Sequence, residues 1–199
     1  SVDNVRILYS GQNDAEGYAT GLDMKVNGEF VKGVDSWFSL SIMKTEEDIV
    51  GDYITNADGS SSEAGFISRP TDQRVNFSMF FQDYIPRNPN YKMHLNMVYG
   101  TGLSFGPPNS EKHQDVLQMP DYRRVDIGFS VVLKDENKKS RIKWFNAFNS
   151  IWVSAEVFNL LDINNTVSYL WVADITGRQY AVPNYLTARQ LNAKLILSF

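Results

Sequence analysis

The chain has 199 residues, with 19 Lys and Arg against 23 Asp and Glu, a net charge of −4. It has no Cys, which excludes a disulfide scaffold, a thiolate metal site and a thiol nucleophile. Its two His, His94 and His113, supply too few ligands for an ordinary zinc site. No run of about 18 apolar residues occurs, so a transmembrane helix is excluded, and the acidic balance argues against nucleic acid as a partner.

These numbers describe one acidic domain with an anomaly: the chain is 13% aromatic while its mean hydropathy is only −0.31. Ser1-Val2-Asp3-Asn4 runs straight into a strand-like stretch with neither an initiator Met nor a signal peptide, which predicts a piece of a longer protein.

Taken in chain order, the apolar residues recur at every second position, the period of a strand with two unlike faces. A first strand is predicted at 4–10. In the second, 16–31, Thr20, Leu22, Met24, Val26, Gly28 and Phe30 alternate with Gly21, Asp23, Lys25, Asn27 and Glu29. A tight connection at Gly33 leads into a third at 35–47, and a long acidic connection follows from Asp48 to Thr71. The fourth, 72–84, sets Val75, Phe77, Met79 and Phe81 against Asn76, Ser78 and Gln82. After a short Pro-rich turn, the fifth, 90–102, sets Tyr91, Met93, Leu95, Met97 and Tyr99 against Lys92, His94 and Asn96.

The connection Leu103 to Pro120 is again long. The sixth strand, 121–134, sets Val125, Ile127, Phe129, Val131 and Leu133 against Arg124, Asp126 and Ser130. A weak helical period spans Arg141 to Phe148, and strands are predicted at 150–161 and, after the long stretch Asp162 to Tyr185, at 186–199. In the last, Leu191, Ala193, Leu195, Leu197 and Phe199 oppose Asn192, Lys194 and Ser198.

Two all-β architectures fit this alternation. A soluble β-sandwich, such as a carbohydrate-binding module, alternates in the same way. Three features favour an outer-membrane β-barrel. The strands exceed the usual mode of about 5–6 residues and match the length that crosses a bilayer at a tilt. Tyr and Phe stand at strand ends, and long connections alternate with short ones. Bilayer-spanning strands require a closed barrel, and eight strands, the smallest such class, can close by themselves as an adhesin or anchor.

Ser154-Ala155-Glu156-Val157-Phe158-Asn159-Leu160-Leu161-Asp162 resembles the penultimate-strand signature of TonB-dependent outer-membrane receptors. A long loop and a last strand ending in the aromatic Phe199 follow it, as in that family. Gly28-Glu29-Phe30-Val31-Lys32-Gly33, Arg69-Pro70-Thr71-Asp72-Gln73-Arg74, Gly102-Leu103-Ser104-Phe105-Gly106-Pro107-Pro108 and Tyr122-Arg123-Arg124-Val125-Asp126-Ile127-Gly128 resemble its Bacteroidetes branch. The resemblance implies the last eight strands of a barrel of roughly 22, with plug and energy-coupling box upstream.

It further implies location in the outer membrane of a Gram-negative bacterium and import of a glycan, peptide or metal chelate. The implied partners are membrane lipid, the plug and upstream strands, the TonB complex, the assembly machinery and a surface lipoprotein. No catalytic residue, metal or cofactor is implied. Both barrel termini would face the periplasm, making 48–71, 103–120 and 162–185 extracellular and 135–149 periplasmic.

Within this frame Asp23, Lys25, Glu29, Lys92, Arg124, Asp126, Glu156 and Lys194 are candidates to face the lumen, against water, plug or substrate. Tyr53, Phe66, Tyr169, Trp171 and Tyr180 are candidate loop contacts for a flat ligand, although 169–172 and 178–182 around Asp174-Ile175-Thr176-Gly177 read equally as a hairpin. Leu195, Leu197 and Phe199 resemble the signal that the assembly machinery recognises.

In 135–149, Lys138-Lys139, Arg141 and Lys143 beside Trp144, Phe145 and Phe148 read as an amphipathic patch at the inner interface or as a solvated charged turn. Gly102-Leu103-Ser104-Phe105-Gly106 matches a nucleophile elbow, but that motif needs a following helix, which Pro107-Pro108 forbids. Gly100-Thr101-Gly102 is too short to indicate a dinucleotide site. The carboxylates Glu46, Glu47, Asp48, Asp52, Asp58, Glu63 and Asp72 lack calcium-loop spacing and read as an acidic solvated loop.

Overall fold

Residues alternating apolar and polar can satisfy both faces only in a sheet whose sides meet different surroundings. The computed structural model, which describes residues 11–85, 88–108, 116–136 and 140–199, contains one such sheet. Its first two strands, β1 (Ala15–Val31) and β2 (Val34–Ile49), form a long hairpin. At its turn Gly33 takes φ +83°, in the left-handed region that favours glycine, and its N–H donates to the Glu29 carboxylate at 3.0 Å. The predicted strand 4–10 lies outside the described residues.

The connection after β2 contains β3 (Tyr53–Thr55), β4 (Ser61–Glu63) and β5 (Ile67–Ser68). It leads to β6 (Val75–Ile85) and β7 (Asn88–Gly100). Next come β8 (Ser104–Phe105), β9 (Leu117–Gln118) and β10 (Tyr122–Lys134). A 3-10 turn at Lys143–Ala147 precedes β11 (Ser150–Phe158), and β12 (Thr166–Ala173), β13 (Gln179–Tyr185) and β14 (Gln190–Ser198) complete the described chain.

The main sheet runs β1-β2-β6-β7-β10-β11-β14, antiparallel throughout, with β5 paired to the end of β2. It is a meander, and each long connection folds into its own small ribbon: β3 with β4, β8 with β9, β12 with β13. Among the described residues β1 pairs with β2 alone and β14 with β11 alone, so these two strands are the edges of an open sheet.

Register joins the predicted stripes into continuous rows. Val26, Phe38, Met79, Met97 and Val125 stand opposite one another from β1 to β10, and Phe81, Leu95, Ile127, Val157 and Leu191 from β6 to β14. A second layer of structure would bury this face. It does not: Leu191 is 82% and Leu195 60% exposed, Met93 and Phe77 are half-buried, and Val34 and Ile151 are the only buried apolar residues among those described. A soluble domain of this length buries about 70% of its unfolded surface around an apolar core; here the apolar residues share one face of a single sheet.

Three predicted boundaries move by three or more residues, for local reasons. Strand 72–84 begins at Val75, because the Asp72 carboxylate accepts the Thr45 N–H (2.9 Å) and the Arg74 Nε (2.8 Å) and so holds the chain across the end of β2. Strand 150–161 ends at Phe158, because Asn159 turns to φ +51°. Strand 186–199 begins at Gln190, since 179–185 pairs with β12 instead.

Candidate functional site

The face opposite the apolar one carries the charged candidates. Asp23, Lys25, Lys92, Arg124, Asp126, Glu156 and Lys194 all lie on it, in rows such as Lys25, Ser39, Ser78, Val98, Arg124 and Lys92, Ser130, Ser154, Lys194. Glu29 sits at the β1 bulge and caps the Gly33 turn. Asp126 is the most enclosed, at 6% exposure. It accepts from Arg124 Nε at 2.8 Å, Asn96 Nδ2 at 3.2 Å and the Asn159 backbone N–H at 2.8 Å, while the Arg124 guanidinium lies 5.6 Å from the Phe158 ring centre. One carboxylate thus ties β7, β10 and the end of β11 together.

Beside it Glu156 accepts from Asn192 Nδ2 at 2.9 Å and lies 3.8 Å from His94 Nε2. Both side chains lean over Gly128, where an added Cβ would stand 2.2 Å from His94 Cε1 and 3.0 Å from Glu156 Cγ. Glycine here lets the polar side chains of neighbouring strands approach across β10. Ser130 and Ser154 continue the lane at 2.9 Å.

The Asn159-Leu160-Leu161-Asp162 motif has a structural job in this chain. Asn159 donates Nδ2 to the Ile163 carbonyl (3.0 Å) and accepts the Ile163 N–H (3.2 Å), closing a turn on itself. Asp162 Oδ1 accepts the Arg189 N–H at 2.9 Å. Asn165, not singled out from sequence, accepts the Arg123 N–H at 2.8 Å and donates to its carbonyl at 2.9 Å, imitating one more residue of strand. These bonds leave β11 and anchor the β12–β13 ribbon on the main sheet.

Of the loop aromatics, two come together through a residue that sequence reasoning did not offer as a contact. Phe105 on β8 stacks on Tyr169 of β12, with ring centres 4.4 Å apart and planes within 5°, and lies 6.2 Å from Trp171. No sequence signal pairs Phe105 with Tyr169, because they are on different connections. Phe66 instead packs edge-on against Tyr18, 5.4 Å between centres. Tyr180 lies on β13 with its hydroxyl 3.5 Å from Asp174 Oδ2, and Tyr53 is exposed on β3. The 169–182 stretch is a hairpin, as its turn residues suggest: the Asp174 carboxylate accepts from the Thr176 hydroxyl (2.6 Å), the Thr176 N–H (2.8 Å) and the Arg178 N–H (3.0 Å). These donors, the Thr176 hydroxyl first, hold Asp174 below the ordinary aspartate range.

In the acidic connection, Asp58 is likewise held low by the Ser60 hydroxyl and N–H. Asp52 is buried, and neither of its carboxylate oxygens has a hydrogen-bond partner among the described residues. Among the described residues no three His, Cys, Asp or Glu side chains converge to hold a metal ion. Ser104 and Phe105, inside the Gly-x-Ser-x-Gly stretch, form β8 and pair with Gln118 and Leu117, with no helix in the described residues that follow up to β9. His113, Lys138 and Lys139 lie outside the described residues.

Along β14 Leu195 faces Val153 near the middle of the strand, and toward the opposite end of the sheet Leu197 faces Ile151, while the exposed Phe199 ring stands 4.9 Å from that of Phe148. Trp144 packs edge-on against Phe145 (4.6 Å) and Phe148 (6.1 Å). Comparison of the chain with protein-family models, curated proteins and solved structures returned no match.

Proposed function

We propose that the chain is the C-terminal barrel segment of a TonB-dependent outer-membrane receptor that imports a bulky nutrient. The observation that carries this reading is the single two-faced sheet, with an apolar face left exposed and a polar face cross-linked by hydrogen bonds. Hydrocarbon is the surroundings in which such a face is at its lowest free energy. The 13-residue strands β7 and β10 rise about 3.3 Å per residue, or roughly 30 Å of height at a 45° tilt, the depth of a bilayer core. The turn built by Asn159 to Asp162 supports the family resemblance, since it gives that motif a physical role.

In this reading the polar face lines the lumen, against plug, water or passing substrate, and the ribbons β3–β4, β8–β9 and β12–β13 stand on the outer surface, where Phe105, Tyr169 and Trp171 offer stacking surface. No bond is made or broken. The experiment is cysteine accessibility on intact cells, helped by the absence of native Cys from this chain. Ile175→Cys at the hairpin tip is expected to react with a membrane-impermeant maleimide, and Leu195→Cys to be protected until detergent is added. Equal reactivity of both in a soluble fraction would sink the reading in favour of a β-sandwich. Surface labelling with uptake that persists without TonB would point to a self-contained barrel.

A further inference from the structure

On this sheet Ile151, at 2% exposure, and Val34, at 3%, are the sealed apolar residues among those described. The neighbours of Ile151 on the apolar face, Val153 and Leu195, are half-buried and 60% exposed, whereas Ile151 stands at an irregularity of the β10–β11 ladder, opposite Lys134. It is also the second residue after the 140–149 connection, whose backbone is fastened to the sheet. Asn149 N–H donates to the Ser198 carbonyl at 2.7 Å, and Lys134 Nζ donates to the Asn149 carbonyl at 2.8 Å. The connection is itself ordered, with Asn146 bonded to Ser140 through both its amide atoms (2.8 and 3.1 Å). It carries the ring cluster Trp144, Phe145, Phe148, which reaches Phe199.

The result is a knob at one rim of the apolar face, with its own exposed surface. Trp144 is 64% and Ile142 47% exposed, and the exposed cations Arg141 and Lys143 alternate with them in sequence. Trp takes the boundary between hydrocarbon and headgroups, where its ring meets acyl chains and its N–H meets water. Basic side chains beside it complement anionic phosphates. Through Phe148 the cluster touches Phe199, the residue that follows β14.

We propose that residues 140–149 form a lipid-binding anchor, seated at the headgroup boundary and selective for anionic phospholipid. The proposal rests on the membrane reading above and adds to it a lipid class and a residue set. Neither a free turn in water nor a seat for another protein requires this pairing of exposed Trp and cations with an apolar sheet face.

The test places nitroxide labels at Ala147→Cys and, separately, Leu195→Cys in the complete gene product reconstituted into phosphatidylcholine vesicles, with and without phosphatidylglycerol. Depth is read from accessibility to oxygen and to a water-soluble nickel chelate. The Leu195 label is expected deep in hydrocarbon and the Ala147 label at phosphate depth, more firmly held when phosphatidylglycerol is present. Arg141→Gln with Lys143→Gln should abolish that lipid dependence, shifting the docked fraction about fivefold per charge removed, equivalent to about 1 kcal/mol each. A Leu195 label in hydrocarbon with an Ala147 label fully open to nickel overturns the anchor and leaves the membrane reading standing. Lipid-independent depth at 147 overturns the anionic selectivity, and both labels in water overturn the membrane reading itself. Trp144→Ser, which leaves the charges in place, is expected to release the label even with phosphatidylglycerol present.

Discussion

Asp126 shows how much of this sheet depends on single carboxylates. Its three hydrogen bonds come from a guanidinium, an amide and a backbone N–H. Hydrogen bonds to charged groups contribute about 1.5–3 kcal/mol each, and removing the acceptor strands its donors. Asp126→Ala is therefore expected to cost about 2–4 kcal/mol in denaturant unfolding, with Asp126→Asn recovering part of it; a loss below measurement error in both would show that the cluster is ornamental. Asp174 provides the pH case. Its folded-state carboxyl is held low by hydrogen bonds from Thr176 and Arg178, so the ionised form favours the closed hairpin. That stabilisation is fully present above the ordinary aspartate value near 3.8 and is lost as pH falls through the lowered folded value. Amide exchange at Ile175 to Gly177 should stay constant from neutral pH to the mildly acidic range once corrected for intrinsic rates, and accelerate only in strong acid. Asp174→Asn should remove this acid step.

β14 separates the two candidate surroundings most sharply at the level of an element. Lys194 and Leu195 are adjacent, on opposite faces of an edge strand. If the apolar face meets hydrocarbon, Leu195→Lys near the strand's midpoint costs about 2–4 kcal/mol in a lipid folding assay. If it meets water, the same substitution at a residue already 60% exposed changes stability by less than about 0.5 kcal/mol. The lengths of the strands follow from local causes as well. β1 and β2 meet at a turn that needs only one residue in the left-handed region, Gly33, whereas β11 stops where Asn159 takes positive φ and closes its side chain on the Ile163 backbone, with Asp162, also at positive φ, accepting the Arg189 N–H. Asn residues bond their own backbone readily and tolerate that conformation.

For the molecule as a whole, the edges of β1 and β14, open among the described residues, and the exposed apolar face pull in one direction. Unpaired strand edges and apolar patches beyond a few hundred Å² promote association. The 199-residue chain produced alone is expected to self-associate in water and to disperse in a mild detergent, as light scattering after size exclusion would record. A monodisperse monomer without detergent would mean that the face is covered in a way the sheet does not display.

Alternation in the sequence determined the all-β class, the strands from 16–31 onward and their division into two faces, because side-chain direction in a strand is a property of the backbone with period 2. It offered the 169–182 hairpin as one of two readings, through Asp174 and Gly177, and the β12–β13 pairing decided between them. What only the tertiary structure decided depends on residues far apart in the chain: that Asp126 joins β7, β10 and the end of β11, that Gly128 makes room for His94 and Glu156, that Phe105 meets Tyr169, and that Ile151 is sealed while Leu195 is not. Each is set by register between strands and by how connections fold back on them, and a periodicity of two along one strand carries no information about which residue will stand opposite it on the next.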